Sequence, residues 1–322
     1  MKRLKIGEKP EFTWSASRLS LFQSCPKSYY LEYIKKPKPK INTTAPLAAG
    51  SFLHKQAEKF YNKNYKSEES FANSMAGRWL FLTKEDSIYG QKIKWKYEGE
   101  RFALREIIRK ISKIFYEKYK NSSPPLSVEY KFNFVIGNRE YIGFIDEIRE
   151  DYVIRDHKSD FAAPKQSVLD NNVQFTFYAL AFCCLSKLDK EFALKHNVSE
   201  KDIETLGGNP NFISDKVTIE YHHMRSGEIL KTKRTDKNFE TLCSILDNVE
   251  NEIRKGVFMP NLSSCSKCLY DEVCDREISR LEDHLLPNKN QERQLVLFTP
   301  QRPKEIIKQS QLKLKLPAMQ KI

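Results

Sequence analysis

The chain has 322 residues, 40% hydrophobic, 12% aromatic and 30% charged, a balance that supplies one packed core with a solvated exterior and excludes wholesale disorder. Only 11 glycines exclude collagen-like repeats, and the longest apolar run, Val173 to Leu185, is interrupted by Gln174 and Thr176 and falls short of the ~20 residues that a bilayer span needs. Basic residues outnumber acidic ones 55 to 42, and the formal charge of +13 points to a polyanion such as nucleic acid as partner.

The first residues, MKRLKIGEKPEFTW, lack the apolar segment and cleavage site of a secretory signal, so 1–12 read as an N-terminal extension and the expected location is cytoplasmic. Seven cysteines in such a reducing setting are thiols or metal ligands. From Ser15 to Ile34 the apolar spacing, broken by Pro26, predicts two short helices with Cys25 at their joint. After a Lys/Pro linker, Gly50 closes a loop and SFLHKQAEKFYNK opens an amphipathic helix with His54 in its first turn. A helical insertion is expected over about 65–122.

Beyond Pro124-Pro125 the texture changes. SVEYKFNFVI, REYIGFIDEI and DYVIRDHKSD predict an antiparallel meander with turns at Gly137-Asn138 and at 149–151. A buried helix follows at Val173 to Leu185. Then come a strand, VTIEYHHM, paired with EILKTKR, and a helix from about Asn238 to Lys255. The last ordered element is a cysteine cluster, with a short helix beyond Cys274. From Leu286 to Ile322 the chain reads as a disordered basic tail, with eight basic residues against two acidic ones.

The meander carries the chemistry. Alternation puts Asp156 and Lys158 on one face of their strand, and the hairpin partner can bring Asp146 beside them. Charges on otherwise apolar strands lose hydration that an ion pair often fails to recover, which favours a functional reason for them. Two carboxylates and an ammonium suit metal-assisted phosphodiester hydrolysis: the acids hold Mg²⁺ or Mn²⁺, and the lysine orients the nucleophile and offsets developing charge. Glu129, on the first strand, is a candidate supporting acid, and Gln174 and Tyr178 lie four apart on one helix face.

These features occur in a set: SASRLSLFQSCPKSYYLEYI, Gly50-Ser-Phe-Leu-His54, Gly143-Phe-Ile-Asp146, Asp156-His-Lys158 and Gln174-x-x-x-Tyr178. Over about residues 13–276 the chain resembles RecB-like nucleases of the PD-(D/E)XK superfamily. The resemblance implies an α/β restriction-endonuclease-like core, a mixed central sheet flanked by helices, within a nuclease domain spanning 13–285. It also implies His54, Asp146, Asp156 and the backbone carbonyl of His157 as metal ligands, Lys158 as the catalytic lysine, and Gln174 and Tyr178 beside the site.

Cys265-x-x-Cys268 and Cys274 place three thiols in ten residues, a spacing that asks for a metal and on its own also fits zinc. Cys25 precedes Pro26 as does the lone early cysteine of AddB-type and CRISPR-associated RecB-like exonucleases. That likeness implies a [4Fe-4S] cluster on Cys25, Cys265, Cys268 and Cys274, within a region 258–275 that staples the termini together, with zinc as the alternative. Cys183, Cys184 and Cys243 read as core residues. In the tail, Gln294, Leu295, Leu297 and Phe298 resemble the peptide that docks on the bacterial DNA sliding clamp, with apolar anchors for a cleft and an amide to orient them.

The expected function is a metal-dependent exonuclease on single-stranded or frayed DNA ends in repair, recombination or replication, with the sliding clamp and a helicase as candidate partners. The alternatives are a CRISPR adaptation nuclease that trims spacer precursors and a non-catalytic DNA-binding scaffold subunit. Complete His54, Asp146, Asp156 and Lys158 argue against the scaffold.

Overall fold

The structure is a computed structural model and describes residues 10–37, 43–61, 65–85, 87, 90–207 and 215–281. In chain order its elements are β1 (Phe12–Trp14), α1 (Ala16–Ser24), α2 (Pro26–Tyr29) running into a π-helical turn (Tyr30–Lys35), β2 (Thr43–Thr44), α3 (Ala45–Phe60), α4 (Glu68–Leu82), β3 (Ile93–Lys94) and α5 (Glu100–Tyr119). The meander follows as β4 (Ser127–Ile136), β5 (Arg139–Arg149) and β6 (Val153–Lys158). Next are α6 (Gln166–Asp170), α7 (Val173–Leu188), α8 (Lys190–Lys195), α9 (Glu200–Gly207), β7 (Thr218–His223), β8 (Glu228–Lys233), α10 (Asp236–Lys255), β9 (Val257–Phe258) and β10 (Ser279–Arg280). Among the described residues, no helix is long and apolar enough to cross a membrane.

Local chemistry sets many of the boundaries. The side chains of Ser15, Ser67 and Asn172 accept the N–H of Arg18, Ser70 and Gln174, satisfying donors that would otherwise be orphaned at the starts of α1, α4 and α7. Gly256, at a φ of 69° that a side chain would oppose, ends α10.

Six strands form one mixed sheet in the order β1-β5-β6-β7-β8, with β4 also on β5. The meander is antiparallel, whereas β1–β5 and β6–β7 run parallel. Helix α7 is buried along nearly all its length, in a core that also holds Tyr141, Ile148 and Ile154 of the sheet and Leu242 and Leu246 of α10. A second apolar cluster unites α3, α4 and α5 through Phe52, Phe60, Phe71, Trp79, Ile108 and Phe115.

On β5, Gly143 lies under the buried ring of Phe132, where an added Cβ would fall 2.5 Å from Cζ. Gly143→Ala is expected to cost about 1–3 kcal/mol through overpacking, read from denaturant melts; a loss near zero would mean that the ring can turn aside.

The structure corrects three expectations. Helix α3 begins at Ala45, with Pro46 in its first turn, so Gly50 lies inside the helix and His54 falls in the third turn. The burial of Ala45, Ala48 and Ala49 explains the longer helix. The segment after Cys274 does not form a short helix within the described residues; Ser279 and Arg280 pair as β10 with β9. Phe12, assigned to the extension, is already part of the sheet through β1. The tail and its residues Gln294, Leu295, Leu297 and Phe298 lie outside the described residues.

Candidate active site

The site starts from an opening in the sheet. Strand β4 pairs along the whole of β5, so β1 at residues 139–141 and β6 at 147–149 share the other edge. The ladder to β6 stops at Glu147 and Arg155, one residue before Asp146 and Asp156. There the carboxylate of Asp146 takes the place of the strand pair, with Oδ2 accepting the backbone N–H of His157 at 2.8 Å. Across β4, Glu129 stands opposite Asp146 in the register, with the backbone pair missing and φ at 45°. Such a conformation in a residue with a side chain is strained, and strain of this kind gathers at functional sites.

Helix α3 passes over this opening and delivers His54, whose Nδ1 is 3.1 Å from Asp146 Oδ2. His54, Glu129 and Asp146 each present a ligand atom within 4.8 Å of the others, the single such group of His, Cys, Asp and Glu side chains among the described residues. Asp156 is fully buried behind this group, with Lys158 Nζ 3.0 Å from Oδ1 and 2.9 Å from Oδ2. Tyr178 Oη donates to Asp156 Oδ1 at 3.3 Å and accepts from Gln174 Nε2 at 2.7 Å, so the polar residues near the start of α7 fix the orientation of this acid.

The electrostatics separate the two aspartates. Burial opposes the charge on Asp146, but the hydrogen bond and charge of His54, with His157 and Lys158, hold its pKa below the usual range. Burial dominates at Asp156 and raises it, with the charge of Asp146 adding to the effect and Lys158 opposing it. Glu129 is raised by burial and then by the charge of Asp146. Burial would lower Lys158, yet Asp156 and Asp146 outweigh it and keep the ammonium protonated at neutral pH. Three carboxylates thus converge on the opening with Lys158 and His54 beside them, a set of hard oxygen and imidazole donors that a divalent cation suits.

On the far side of the opening, the neighbours of the two aspartates hold the strands together. His157 Nε2 lies 2.9 Å from Glu147 Oε1, and its Nδ1 lies 2.8 Å from His222 Nδ1 on β7. Burial, then the charges of His157 and Arg155, lowers His222 to about 2, so it is neutral. Sequence reading assigned His157 a role only through its backbone carbonyl. Polar residues recurring at Glu147, Arg155 and His157 on otherwise apolar strands were the available signal.

The cysteine segment returns to the first helices. Asn261 N–H donates to Cys25 Sγ at 3.3 Å, Ser28 Oγ lies 3.3 Å from Cys268 Sγ, and Lys27 Nζ lies 2.7 Å from Asp275. Two further backbone N–H groups, of Tyr270 and Arg276, donate to Cys268 and Cys274. Burial would raise the Cys25 thiol, but hydrogen bonds from the backbone of Asn261 and from Ser28 outweigh it and lower its pKa. The four thiols are not gathered to the spacing of a single ion. Cys183 and Cys184 are buried in the core, as expected, and Cys243 packs at its edge.

A mixed sheet opened at a pair of aspartates, with a lysine on the second and a histidine and glutamate completing the first, defines a metal-dependent nuclease. The PD-(D/E)XK nuclease superfamily matches residues 13–275, and the chain belongs to that family.

Proposed function

We propose that the protein is a divalent-metal-dependent DNA exonuclease that attacks single-stranded or frayed ends. The observation that carries this reading is the gathering of His54, Glu129 and Asp146 next to the Asp156–Lys158 pair. His54, Glu129, Asp146 and Asp156, with the His157 carbonyl, would hold Mg²⁺ or Mn²⁺, a donor set of the hard oxygen and imidazole type that such ions take. When bound, the ion supplies charge neutralisation at the phosphate and a lowered pKa for a water molecule. Lys158, protonated, stabilises charge on the phosphate oxygens and does not act as the base. Tyr178 and Gln174 keep Asp156 in register, and α3 sets His54 over Asp146. The RecB-like motif set supports end-directed cleavage, and the charge of +13 supports a DNA substrate.

Removing the metal tests this directly. Cleavage of a labelled single strand is expected to cease in EDTA and return with Mg²⁺ or Mn²⁺. Excess Mn²⁺ is also expected to raise the melting temperature, since an ion at 100 times its Kd adds about 2.7 kcal/mol of stability. Cleavage that persists in EDTA would sink the proposal.

Cys25, Cys265, Cys268 and Cys274 are proposed to hold a [4Fe-4S] cluster that braces α1 and α2 against the segment 257–281. Backbone N–H groups aimed at three of these sulfurs, with the lowered Cys25 thiol, fit thiolates bound to iron. Anaerobically purified protein is expected to be brown and iron-loaded, and Cys25→Ser to lose both colour and iron. Colourless protein with stoichiometric zinc would replace the cluster by zinc. Gln294 to Phe298 remain proposed as a tether to the sliding clamp, tested by pull-down with Leu297 and Phe298 changed to Ala; unchanged capture would remove it.

A further inference from the structure

The acids of the site open into a cavity of about 880 Å³, whose lining passes from His54, Glu129 and Asp146 to an apolar wall from α5 and to the loop after β6. Leu104, Ile108 and Ile111 are buried in the core behind that wall, so its reachable apolar surface is the half-buried Ile107 and Leu47 of α3, 58% exposed. On the loop, Phe161 is 92% exposed, the most exposed of the large hydrophobic side chains among the described residues. A phenyl ring left in water beside a polar catalytic floor has no packing reason to be there.

The loop is fixed where it leaves the strand. Arg225 Nε donates to Ser159 O at 2.8 Å, Tyr221 Oη donates to Asp160 Oδ2 at 2.9 Å, and His223 Nε2 donates to Asp160 O at 2.8 Å. Phe161 therefore extends from an anchored backbone. It lies three residues after Lys158, which caps the separation of their Cα atoms at about 11 Å. A stacked strand advances ~3.4 Å per nucleotide, so the backbone that carries the ring is offset from that of the catalytic lysine by no more than about three nucleotides' length. Arg225 and Lys55 line the same cavity and offer cations to the intervening phosphates.

Resting on the nuclease reading above, we propose that Phe161, with Leu47 and Ile107 lining the same cavity, forms a stacking platform for unpaired bases, and that this platform makes the enzyme select an unpaired DNA strand. The reason is geometric. Inside a duplex both faces of every base are covered by neighbours, whereas an unpaired base offers a free face to an aromatic ring whatever its sequence. The acids and the platform share one cavity, so the strand whose base rests on Phe161 is the strand whose backbone reaches the acids.

The test uses the full-length protein as wild type, Phe161→Ala and Phe161→Trp. The substrates are a single-stranded oligodeoxynucleotide, the same strand with abasic residues near its ends, and a blunt hairpin. Phe161→Ala is expected to raise KM on the base-bearing strand by about fivefold or more with little change in kcat, matching the loss of one stacked base. Phe161→Trp should restore KM, and its fluorescence in EDTA should shift with the base-bearing strand but not with the abasic strand or the hairpin. Wild type and Phe161→Ala should cut the abasic strand with equal KM. Equal KM on the base-bearing strand, or indole emission indifferent to bases, would overturn the platform while leaving the nuclease intact. Absence of cleavage by wild type with Mn²⁺ would instead overturn the nuclease reading, and the fluorescence would still decide whether bases stack there.

Discussion

Asp156→Asn and Lys158→Ala are each expected to reduce cleavage of single-stranded DNA by at least about 10²–10³-fold, the scale set by removing one preorganised electrostatic group from an active site. Asp156 is fully buried, with Lys158 and Tyr178 donating to its oxygens, so the amide fills the same space but removes the charge and exchanges one acceptor oxygen for an N–H donor. Burial is the main influence raising its pKa, which means that the fold holds this carboxylate against its own preference. Neutralising it relieves that burial cost while taking the counter-charge from Lys158, so the melting temperature should move far less than the activity, the pattern of a site kept for function and not for stability. Steady-state cleavage and thermal melts on the same preparations check both halves. Activity within about tenfold of wild type in either variant would remove the assigned roles.

The largest effect on stability is expected from Glu250→Ala. Arg139 of β5 and Glu250 of α10 are almost wholly buried and meet through two hydrogen bonds, Nε to Oε1 at 2.6 Å and Nη2 to Oε2 at 2.9 Å. Trp14 of β1 adds its indole N–H to Oε1 at 2.7 Å. One carboxylate thus joins the two parallel strands to the last long helix. Truncating it leaves the buried indole N–H of Trp14 unpaired and the buried guanidinium with only the largely exposed Asp247 as carboxylate partner, a loss of about 3 kcal/mol. For a domain of this size the melting temperature would fall on the order of 10 °C. Arg139→Met combined with Glu250→Leu should cost less than the sum of the single changes, because the two remove one shared interaction. Since none of the three residues belongs to the candidate site, cleavage per folded molecule should hold steady. A loss below about 1 kcal/mol would show that Asp247 alone suffices to hold the guanidinium.

The meander, the buried helix α7 and the hairpin of β7 with β8 were legible because each advertises itself in a short window: alternation for the strands, an apolar run for the helix, turn residues between. The same alternation put Asp156 and Lys158 together. The start of α3 was misread because glycine is a local signal of interruption, and nothing local says that Ala45, Ala48 and Ala49 will be covered by other elements. β1 is three residues long and earns its place only by lying parallel to β5. Glu129 looked like any acid on a strand until its opposition to Asp146 was known.

By itself the sequence determined the chemical inventory and the family: which acids, which lysine, which histidine and which thiols the chain has to offer, and the order in which they come. Tertiary structure decided which of them meet. The opening of the ladder at Asp146, the placement of His54 over it, the entry of Glu129 and the hydrogen bond of Tyr178 to Asp156 are contacts between segments well separated along the chain. So are the return of the cysteine segment to α1 and α2 and the anchoring of the loop that carries Phe161 by Tyr221, His223 and Arg225. The physical reason is range: periodicity and turn chemistry act over a few residues, whereas burial, ion pairing and strand register are settled only when the whole chain is packed.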